Sequence, residues 1–174
     1  RRTGSARFHG ALHDPRAGTI QPLAYARGLA RAAAAAGARL FEHSAVVAAD
    51  HHGGQWVLRT NGGKLRARRL LIATNAYHRP TEGTRLPDLP LVSFFQIATE
   101  PLGDNIGGDV LPGGEGCWDT GTVMTSLRRD AAGRVILGGM GEGGRIHEGW
   151  ARRKLAHLLP RLADAPLAHV WSGR

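Results

Sequence analysis

An uninterrupted apolar run in the first half of the chain gives the strongest structural signal in the sequence. Residues 70–72 are all apolar, and they lead into a turn of small and polar residues at Ala73, Thr74 and Asn75. A continuous apolar run that ends in turn residues is typical of a strand buried on both faces, as in a parallel sheet. In open α/β sheets nucleotides bind at the carboxyl ends of such strands. An ordinary core strand that enters a turn is the alternative.

The residues before this run predict a helix, further strands and a hairpin. Residues 20–37 have the spacing of an amphipathic helix, with Pro22 at its first position, Thr19 or Gln21 as its cap and Gly37 as its stop. The turn at residues 61–63, Asn-Gly-Gly, is a strong hairpin signal. Strands are expected at residues 39–41, 45–49, 55–60 and 64–70.

Shorter apolar runs in the second half predict three strands and a helix. Residues 130–133, Asp-Ala-Ala-Gly, are expected to form the hairpin turn that joins the last two strands. Residues 150–162 have the pattern of a helix, and Pro160 marks its expected end. The Pro- and Gly-rich stretch at 79–90 has the composition of a connection. The strands are expected at residues 91–99, 122–127 and 134–137.

A glycine pattern in the second half needs a separate interpretation. Gly139, Gly141 and Gly144 have the GxGxxG spacing and follow an apolar run. A dinucleotide-binding loop opens immediately into a helix, whose N-terminal amides hold the pyrophosphate. Here Gly149 interrupts the helical pattern after the glycine segment, and a helix is expected only from Trp150. A glycine-rich strand end that bends close to a ligand or to another backbone is therefore favoured, with an NAD(P)-binding Rossmann-type oxidoreductase as the alternative.

Composition is that of a globular protein, and it narrows the class of partner. The chain has 174 residues, 42% of them hydrophobic, which is enough to bury a core. The formal charge of +9 attracts anions in general. However, the basic residues are scattered, with few aromatics among them to stack on bases. We expect no nucleic-acid partner and no membrane span; a non-enzymatic basic binding module is the alternative, which steep salt dependence of nucleic-acid affinity would favour.

The residues that usually carry metal or nucleophilic chemistry form no recognisable set. The nine histidines lack the spacing and the Cys or carboxylate partners of a metal site, so no metal is expected. Ser172 lacks the GxSxG turn of a hydrolase nucleophile. The single Cys117 excludes an internal disulfide, fits a reducing compartment and predicts a cytoplasmic location. We interpret Cys117 as a small buried hydrophobe rather than a reactive thiol.

Short segments along nearly the whole chain resemble one family. In their order and distances they resemble the middle of proteins of the FAD-dependent D-amino-acid oxidase superfamily, which includes glycine, sarcosine and γ-glutamylputrescine oxidases. The segments are Leu12–Gly18, Pro22-Leu23, Arg27–Ala30, Gly37, Phe41–Ser44, Val46, Ala73–Tyr77, Gln96–Pro101, Gly133-Arg134, Gly138-Gly139 and Trp171–Arg174.

The resemblance implies an α/β (α+β) fold in two partial domains. Residues 13–78 are expected to form the central part of an FAD/NAD(P)-binding Rossmann-like domain, and residues 90–156 part of an antiparallel-sheet substrate domain. Residues 166–174 are expected to return to the FAD-binding domain. The phosphate-binding loop of such a protein is expected before Arg1. The chain is therefore interpreted as an internal fragment, inactive alone.

The implied activity is flavin-mediated oxidation of a C–N bond. Hydride leaves the carbon that bears the amine for flavin N5, the imine hydrolyses, and the reduced flavin passes electrons to oxygen or another acceptor. The expected cofactor is FAD, which accepts the hydride. The expected partners are an amine or amino-acid substrate and the electron acceptor. Such chemistry often needs no side-chain nucleophile, and no catalytic residue is assigned.

The resemblance also implies residues that hold the cofactor. The backbone of Val46 is expected to hold the adenine end of FAD, although a plain core valine is the alternative. Trp171 and Gly173 are expected beside the isoalloxazine ring with Arg174 close behind, although Trp171 as a packing aromatic is the alternative. The residues expected to line the nucleotide crevice are Ala73, Thr74 and Asn75.

Four further positions are implied to bind substrate, at strands that face the flavin in this superfamily. They are Thr125, Ser126, Leu127 and Met140. Many relatives have aromatic residues near Ser126 and Leu127, whereas this sequence has none there. The departure leaves the substrate class open.

Overall fold

The computed structural model describes residues 2–85 and 89–174. The chain divides into two compact units, one of residues 21–91 and one of residues 1–20 with 92–174. The fold is mixed α/β with antiparallel sheets, as the resemblance implies. Of the connection expected at 79–90, residues 86–88 lie outside the described part. The domain boundaries 13–78, 90–156 and 166–174 stay a prediction.

The unit of residues 21–91 begins with helix α1, Pro22–Ala35. The side chain of Gln21 accepts a hydrogen bond from the amide of Ala24 at 2.7 Å, so Gln21 rather than Thr19 caps the helix. Gly37 has φ +94°, and the next amide, Ala38, donates to the carbonyl of Ala33 at 2.9 Å. This left-handed residue ends the helix, as the sequence predicts.

A three-stranded antiparallel sheet follows α1. Its strands are β1 Val46–His52, β2 Gln55–Thr60 and β3 Gly63–Ala67, in the order β1-β2-β3. The expected hairpin between β2 and β3 is confirmed, with Thr60 paired to Gly63. Ala48, Ala49 and Leu58 are the buried apolar residues of this sheet.

Two expected strands of this unit are wrong. Residues 39–41 lie in no strand, and residues 70–74 pair with no strand of the described residues. Leu71 is 87% exposed, so the run is not buried on both faces. A parallel strand exists only when hydrogen-bonded neighbours flank it, and no described strand lies beside this run. The run instead enters a single 3-10 turn, Asn75–Tyr77.

The second unit is built on a five-stranded antiparallel sheet. Its strand order is β5-β6-β7-β4-β8, and the hairpin turn predicted at residues 130–133 joins β6 to β7. In that turn the amide of Gly133 donates to the carbonyl of Asp130 at 3.0 Å. The strands are β4 Phe94–Thr99, β5 Cys117–Trp118, β6 Ser126–Arg129, β7 Val135–Met140 and β8 Leu167–Gly173.

Helix α3 covers one face of this sheet and starts earlier than the sequence predicts. After the short helix α2, Asp104–Gly107, and β7, α3 runs over Arg145–Leu158, and a 3-10 turn at Pro160–Leu162 follows. Gly149 therefore lies inside α3 rather than before it. A helical glycine costs about 1 kcal/mol, and burial of Ala151, Leu155 and Leu158 against the sheet exceeds that cost.

Candidate functional site

Two features of the chain carry the predicted site residues, one in each unit. The first is a cavity of about 360 Å³ in the unit of residues 21–91. It brings together three of the predicted nucleotide-site residues, Val46, Ala73 and Thr74. The full lining is Ala45, Val46, Ala49, Leu70, Leu71, Ile72, Ala73, Thr74, Tyr77, Arg79, Thr81 and Thr84.

The wall formed by residues 70–74 follows directly from the missing strand pairing. Residues 70–74 pair with no strand of the described chain, and all five line the cavity. Asn75 lies next to the lining and has φ +47°, a left-handed conformation that asparagine tolerates better than most residues. Its carbonyl lies 3.3 Å from Nδ1 of His78. Val46 is 39% exposed at the start of β1, so it is not a core valine of this unit.

Another part of the lining comes from a segment, residues 79–84, that sequence reasoning assigned only to a connection. The amide of Ala49 donates to the carbonyl of Glu82 at 2.8 Å, and the amide of Glu82 donates to the carbonyl of Val47 at 3.2 Å. The Glu82 carboxylate also pairs with Arg59 at 2.8 Å. A Cβ on Gly83 would lie 2.1 Å from the carbonyl oxygen of Ala49, so glycine permits this close approach.

This docking of residues 79–84 onto β1 adds three lining residues that the sequence did not reveal: Arg79, Thr81 and Thr84. They lie beyond Asn75, the last residue that the sequence assigned to the nucleotide crevice. These residues are far from β1 in sequence. Only the backbone pairing with β1 brings them to the cavity, so the sequence alone does not show that they line it.

The second feature is the face of the five-stranded sheet opposite α3. Residues directly opposite each other on neighbouring strands share a face. The register places one residue of each strand in a row across this sheet. That row is Trp118, Ser126, Gly138, Gln96 and Trp171. We call this surface, with Phe94, Met140, Gly173 and Arg128, the Trp171 face.

Four of the predicted residues therefore meet on the Trp171 face: Ser126, Met140, Trp171 and Gly173. Phe94 pairs with both Met140 and Gly173. A Cβ on Gly173 would lie 2.8 Å from the Phe94 ring, so a larger residue at that position would require the ring to move. The large apolar side chains of this face, Trp118, Met140, Phe94 and Trp171, are between 37% and 65% exposed.

The other two predicted substrate residues are placed differently. Leu127 is buried in the core on the α3 side of the sheet, because side chains alternate along β6. Leu127 therefore reaches the Trp171 face only through its backbone, next to Ser126. Thr125 is also buried. The β8 segment that contains Trp171 and Gly173 pairs with β4, and Arg174 follows it.

Sequence reasoning missed the aromatic residue that this face carries beside Ser126. Trp118, on the short strand β5, lies opposite Ser126. The neighbouring strand thus supplies an aromatic ring beside Ser126, where many relatives have an aromatic residue on β6 itself. The two-residue strand Cys117–Trp118 gives almost no periodic signal, and only the register with β6 identifies it.

Asp119 fixes the loop that leads into β6. Its Oδ1 accepts hydrogen bonds from the amides of Thr125 at 2.9 Å and Gly121 at 3.2 Å. Its Oδ2 lies 3.2 Å from Nζ of Lys154. Burial raises the pKa of Asp119, but these amides and the Lys154 ammonium outweigh burial and lower it below its ordinary value.

Cys117 has the properties of a packed side chain rather than of a nucleophile. It is partly buried against the core of the unit. Burial, and then the nearby Asp119 carboxylate, raise the pKa of its thiol. A raised pKa disfavours the reactive thiolate.

The glycine segment after β7 does enter a helix directly, which corrects the sequence argument. Gly139 and Gly141 lead to Gly144, and α3 starts at Arg145. However, β7 pairs antiparallel with both of its neighbours, whereas the dinucleotide-binding unit has parallel strands. The His147 ring also fills the space where a Cβ of Gly141 would lie, and its Nδ1 contacts the carbonyl of Gly143. The segment therefore packs against its own helix.

Two features are absent from the described residues. No group of three His, Cys, Asp or Glu side chains in residues 2–85 and 89–174 could hold a metal ion. In the same residues, no helix has the length and apolarity needed to cross a membrane.

Comparison with curated proteins finds relatives that are longer than this chain. A probable oxidoreductase, OrdL, from Rhizobium meliloti (strain 1021) is 34% identical over 99% of this chain and 41% of that protein. Gamma-glutamylputrescine oxidoreductase from Escherichia coli (strain K12) is 30% identical over 99% of this chain and 42% of that protein. The chain thus spans about two fifths of the length of these relatives.

A solved structure shares the fold. Glycine oxidase from Geobacillus kaustophilus superposes with a TM-score of 0.66 and 23% identity, over 85% of this chain and 40% of that one. The family described as FAD dependent oxidoreductase (DAO) matches residues 1–174. Because this match covers the whole chain, the chain belongs to the family of FAD-dependent oxidoreductases.

Proposed function

We propose that the protein to which this chain belongs oxidises the C–N bond of a small amine or amino acid. FAD is the cofactor of its family. The observation that carries the proposal is the gathering of Ser126, Met140, Trp171 and Gly173 on one exposed sheet face. The names of two similar proteins, a gamma-glutamylputrescine oxidoreductase and a glycine oxidase, support the amine or amino-acid class.

The cavity in the unit of residues 21–91 is the proposed site for the nucleotide part of FAD. Its volume of about 360 Å³ is at the lower end of the range of ligand pockets, about 300–1,000 Å³. Its apolar lining by Val46, Ala73 and neighbours suits a flat base, and the positive charge of Arg79, which also lines it, suits an anion. The residues present therefore fit part of a dinucleotide. Asn75 stays a predicted neighbour of this group.

The Trp171 face is the proposed place where the chain meets the reactive ring and the substrate. When bound, FAD supplies the acceptor for the hydride. Trp171 and Gly173, with Arg174 after them, are proposed to lie beside the isoalloxazine ring. Ser126, Met140 and the backbone beside Thr125 and Leu127 are proposed to bind substrate.

The proposed work of this chain's residues is positioning and exclusion of water. The apolar side chains Trp118, Phe94 and Met140 give the face a low-dielectric surface, which disfavours a charged amine and favours the neutral form that the oxidation needs. No side chain is assigned as a proton acceptor. Oxygen or another oxidant is the proposed electron acceptor, and the cytoplasm the proposed location.

The full-length parent protein tests the proposal directly. It should purify with the absorbance bands of bound flavin and should reduce that flavin when a suitable amine is added without oxygen. A parent that shows no flavin bands even after addition of FAD would contradict the proposal.

A substitution in the cavity tests the nucleotide site separately. Ala73→Trp should fill the cavity and weaken retention of FAD at least tenfold, with little change in secondary structure by circular dichroism, because Ala73 lies in no strand or helix. Ala132→Trp, at an exposed hairpin turn of the other unit, is the matched control and should retain FAD. If the two variants retain FAD equally, residues 70–74 do not contact the nucleotide and have only a structural role.

A further inference from the structure

Both methionines of the chain lie at one end of the Trp171 face. The sequence has two methionines, Met124 and Met140. Met140 ends β7, and Met124 precedes β6 by two residues. Met124 is 43% exposed and Met140 is 45% exposed, whereas methionine is among the residue types that are most often fully buried. The chain therefore presents both of its thioethers on one surface.

The strand register sets the two methionines beside each other. Ser126 on β6 lies opposite Gly138 on β7. Continued by two residues, this register places Met124 opposite Met140. The carbonyl oxygen of Met124 does lie beside β7, 3.5 Å from where a Cβ of Gly139 would be. Because residues directly opposite each other share a face, we call Met124 and Met140 the methionine pair.

The methionine pair continues the apolar part of the Trp171 face. Phe94 lies opposite Met140 on β4 and is itself 38% exposed. Thioethers pack favourably against aromatic rings, so the pair and Phe94 form an adaptable surface of low polarity. A methionine sulfoxide is polar and chiral, and it disrupts such a surface. The polarity of the proposed substrate site thus depends on the oxidation state of these sulfur atoms.

We propose that the methionine pair is a modification site, oxidised by hydrogen peroxide that forms at the flavin. The inference rests on the proposed function, with oxygen as the electron acceptor. Oxygen then takes two electrons and two protons from the reduced cofactor and becomes hydrogen peroxide. The peroxide is released beside the Trp171 face, where its concentration is highest before it diffuses into the solution.

The oxidation needs no reactant other than the peroxide. A lone pair of the methionine sulfur attacks one peroxide oxygen, the O–O bond breaks, and the second oxygen leaves as water after proton transfer. The sulfur gains one oxygen atom and loses two electrons, which the peroxide receives. Because the sulfoxide makes the substrate surface polar, turnover lowers the affinity for the next substrate. The methionine pair is thus a product-feedback device, which methionine sulfoxide reductases reverse.

The test uses the full-length parent with bound FAD and needs no substrate. Repeated anaerobic photoreduction with EDTA, each time followed by air in the dark, produces hydrogen peroxide at the flavin. Catalase in the solution removes the peroxide that escapes. Trypsin places the two methionines in separate peptides, residues 86–128 and 135–145, in which tandem mass spectrometry locates an added oxygen atom. Both methionines should gain oxygen as the cycles accumulate, and catalase should not protect them.

Ile146→Met is the matched control. Ile146 is 83% exposed at the start of α3, which covers the opposite face of the sheet, and it lies in a third peptide, residues 146–152. During the cycles with catalase, the methionine pair should gain several times more oxygen than position 146. When hydrogen peroxide is instead added to the oxidised parent in the dark, position 146 should react at least as fast as the pair, because it is more exposed.

The effect on the substrate site is measured after the cycles. With the amine that reduces its flavin, the cycled parent should show a KM raised about fivefold or more, the effect of an unpaired polar group against an apolar part of the substrate. Methionine sulfoxide reductases of both epimer specificities should restore the KM. These enzymes do not reverse oxidation of other residues, so restoration identifies methionine as the cause.

The outcomes separate this inference from the proposed function. A methionine pair that stays reduced through the cycles, or that catalase protects as well as it protects position 146, would overturn the inference while amine oxidation stands. A KM that oxidation leaves unchanged, or that the reductases do not restore, would overturn the feedback role. Failure of the proposed function is a different result: a parent that binds no FAD, or whose bound flavin no amine reduces.

Discussion

At the scale of single residues, Asp119 links the stability of the second unit to its proposed site. Its carboxylate holds the amides of Gly121 and Thr125, and Thr125 directly precedes the site residue Ser126. Lys154 of α3 pairs with the same carboxylate at 3.2 Å. The ionised form of Asp119 therefore joins the loop, the strand β6 and the helix that covers the sheet.

Asp119 should make the second unit sensitive to acid. Its pKa is lowered in the folded protein, so the ionised form stabilises the fold fully above the unfolded pKa of about 4. That contribution is lost as the pH falls through the lower folded pKa. Urea unfolding of the full-length parent at pH values between about 7 and 3 should show Asp119→Asn less stable at neutral pH by about 1 kcal/mol, and less sensitive to acid.

Asp14→Asn is the control for this measurement. Arg16 holds the Asp14 carboxylate in an exposed turn, with 2.9 Å between Nη2 and Oδ2, and its hydrogen bonds also lower the pKa of Asp14. Because both groups are largely exposed, the pair contributes little to stability. If the Asp14 and Asp119 variants show the same dependence on pH, the proposed role of Asp119 is wrong.

At the scale of elements, β7 is the strand on which the Trp171 face depends. It lies between β4 and β6 in the five-stranded sheet, and its glycines allow side chains from both faces to lie against it. The Trp150 ring covers Gly139 on the α3 side, where a Cβ would lie 3.1 Å from the ring, while Gln96 covers Gly138 on the Trp171 face. Because Gly138 and Gly139 have no side chains, Gln96 and Trp150 can pack directly against the backbone of β7.

Gly138→Ala should therefore destabilise the second unit. The added Cβ would lie 2.6 Å from both Cγ of Gln96 and the carbonyl oxygen of Phe95, and such overpacking costs about 1–3 kcal/mol. Gly28→Ala in α1 is the contrasting variant, because the nearest atom to the added Cβ would be 4.0 Å away. Alanine should stabilise this helix by about 0.5–1 kcal/mol. Thermal unfolding of both variants in the full-length parent should give shifts of opposite sign.

At the scale of the whole molecule, the two units differ in how much of their apolar surface is buried. The second unit has a contiguous core between its sheet and α3, with Phe95, Ile97 and Leu137 at its centre. In the unit of residues 21–91, none of the residues of α1 is buried, and Leu71 lies almost fully exposed. Exposed apolar surface of this extent is typical of an interaction surface or of an aggregation-prone one.

We expect the chain of residues 1–174, produced alone, to bind FAD poorly and to associate. The cavity is walled on one side by the unpaired run at residues 70–74, whose backbone groups can pair with another copy. Calorimetric titration with FAD and sedimentation of the isolated chain measure the two properties, with the full-length parent as the comparison. Tight stoichiometric FAD binding by a monomeric 1–174 chain would contradict this expectation.

The sequence by itself determined the elements whose signals are local. Turn chemistry at residues 61–63 and 130–133 and the stop at Gly37 depend on nearby residues, and they identify two hairpins and the end of α1. The family match depends on the order of short segments along the whole chain, which is also a property of the sequence alone, and it identifies FAD as the family's cofactor. The apolar run at 70–73 wrongly predicted a buried strand, because a strand is buried only when other strands pair with it, and the sequence of the run does not show whether they do. The start of α3 was missed because glycine propensity is local, whereas the apolar face that overrides it packs against the sheet.

Only the tertiary structure decided which distant residues share a surface. The meeting of Trp118 with Ser126, and of Arg128 with Gln96, depends on strand order and register. The order β5-β6-β7-β4-β8 brings together residues from opposite ends of the second unit. Likewise, residues 79–84 close the cavity only because their backbone pairs with β1. Side-chain periodicity gives the face of each residue within its own strand, but hydrogen bonding between strands gives its neighbours.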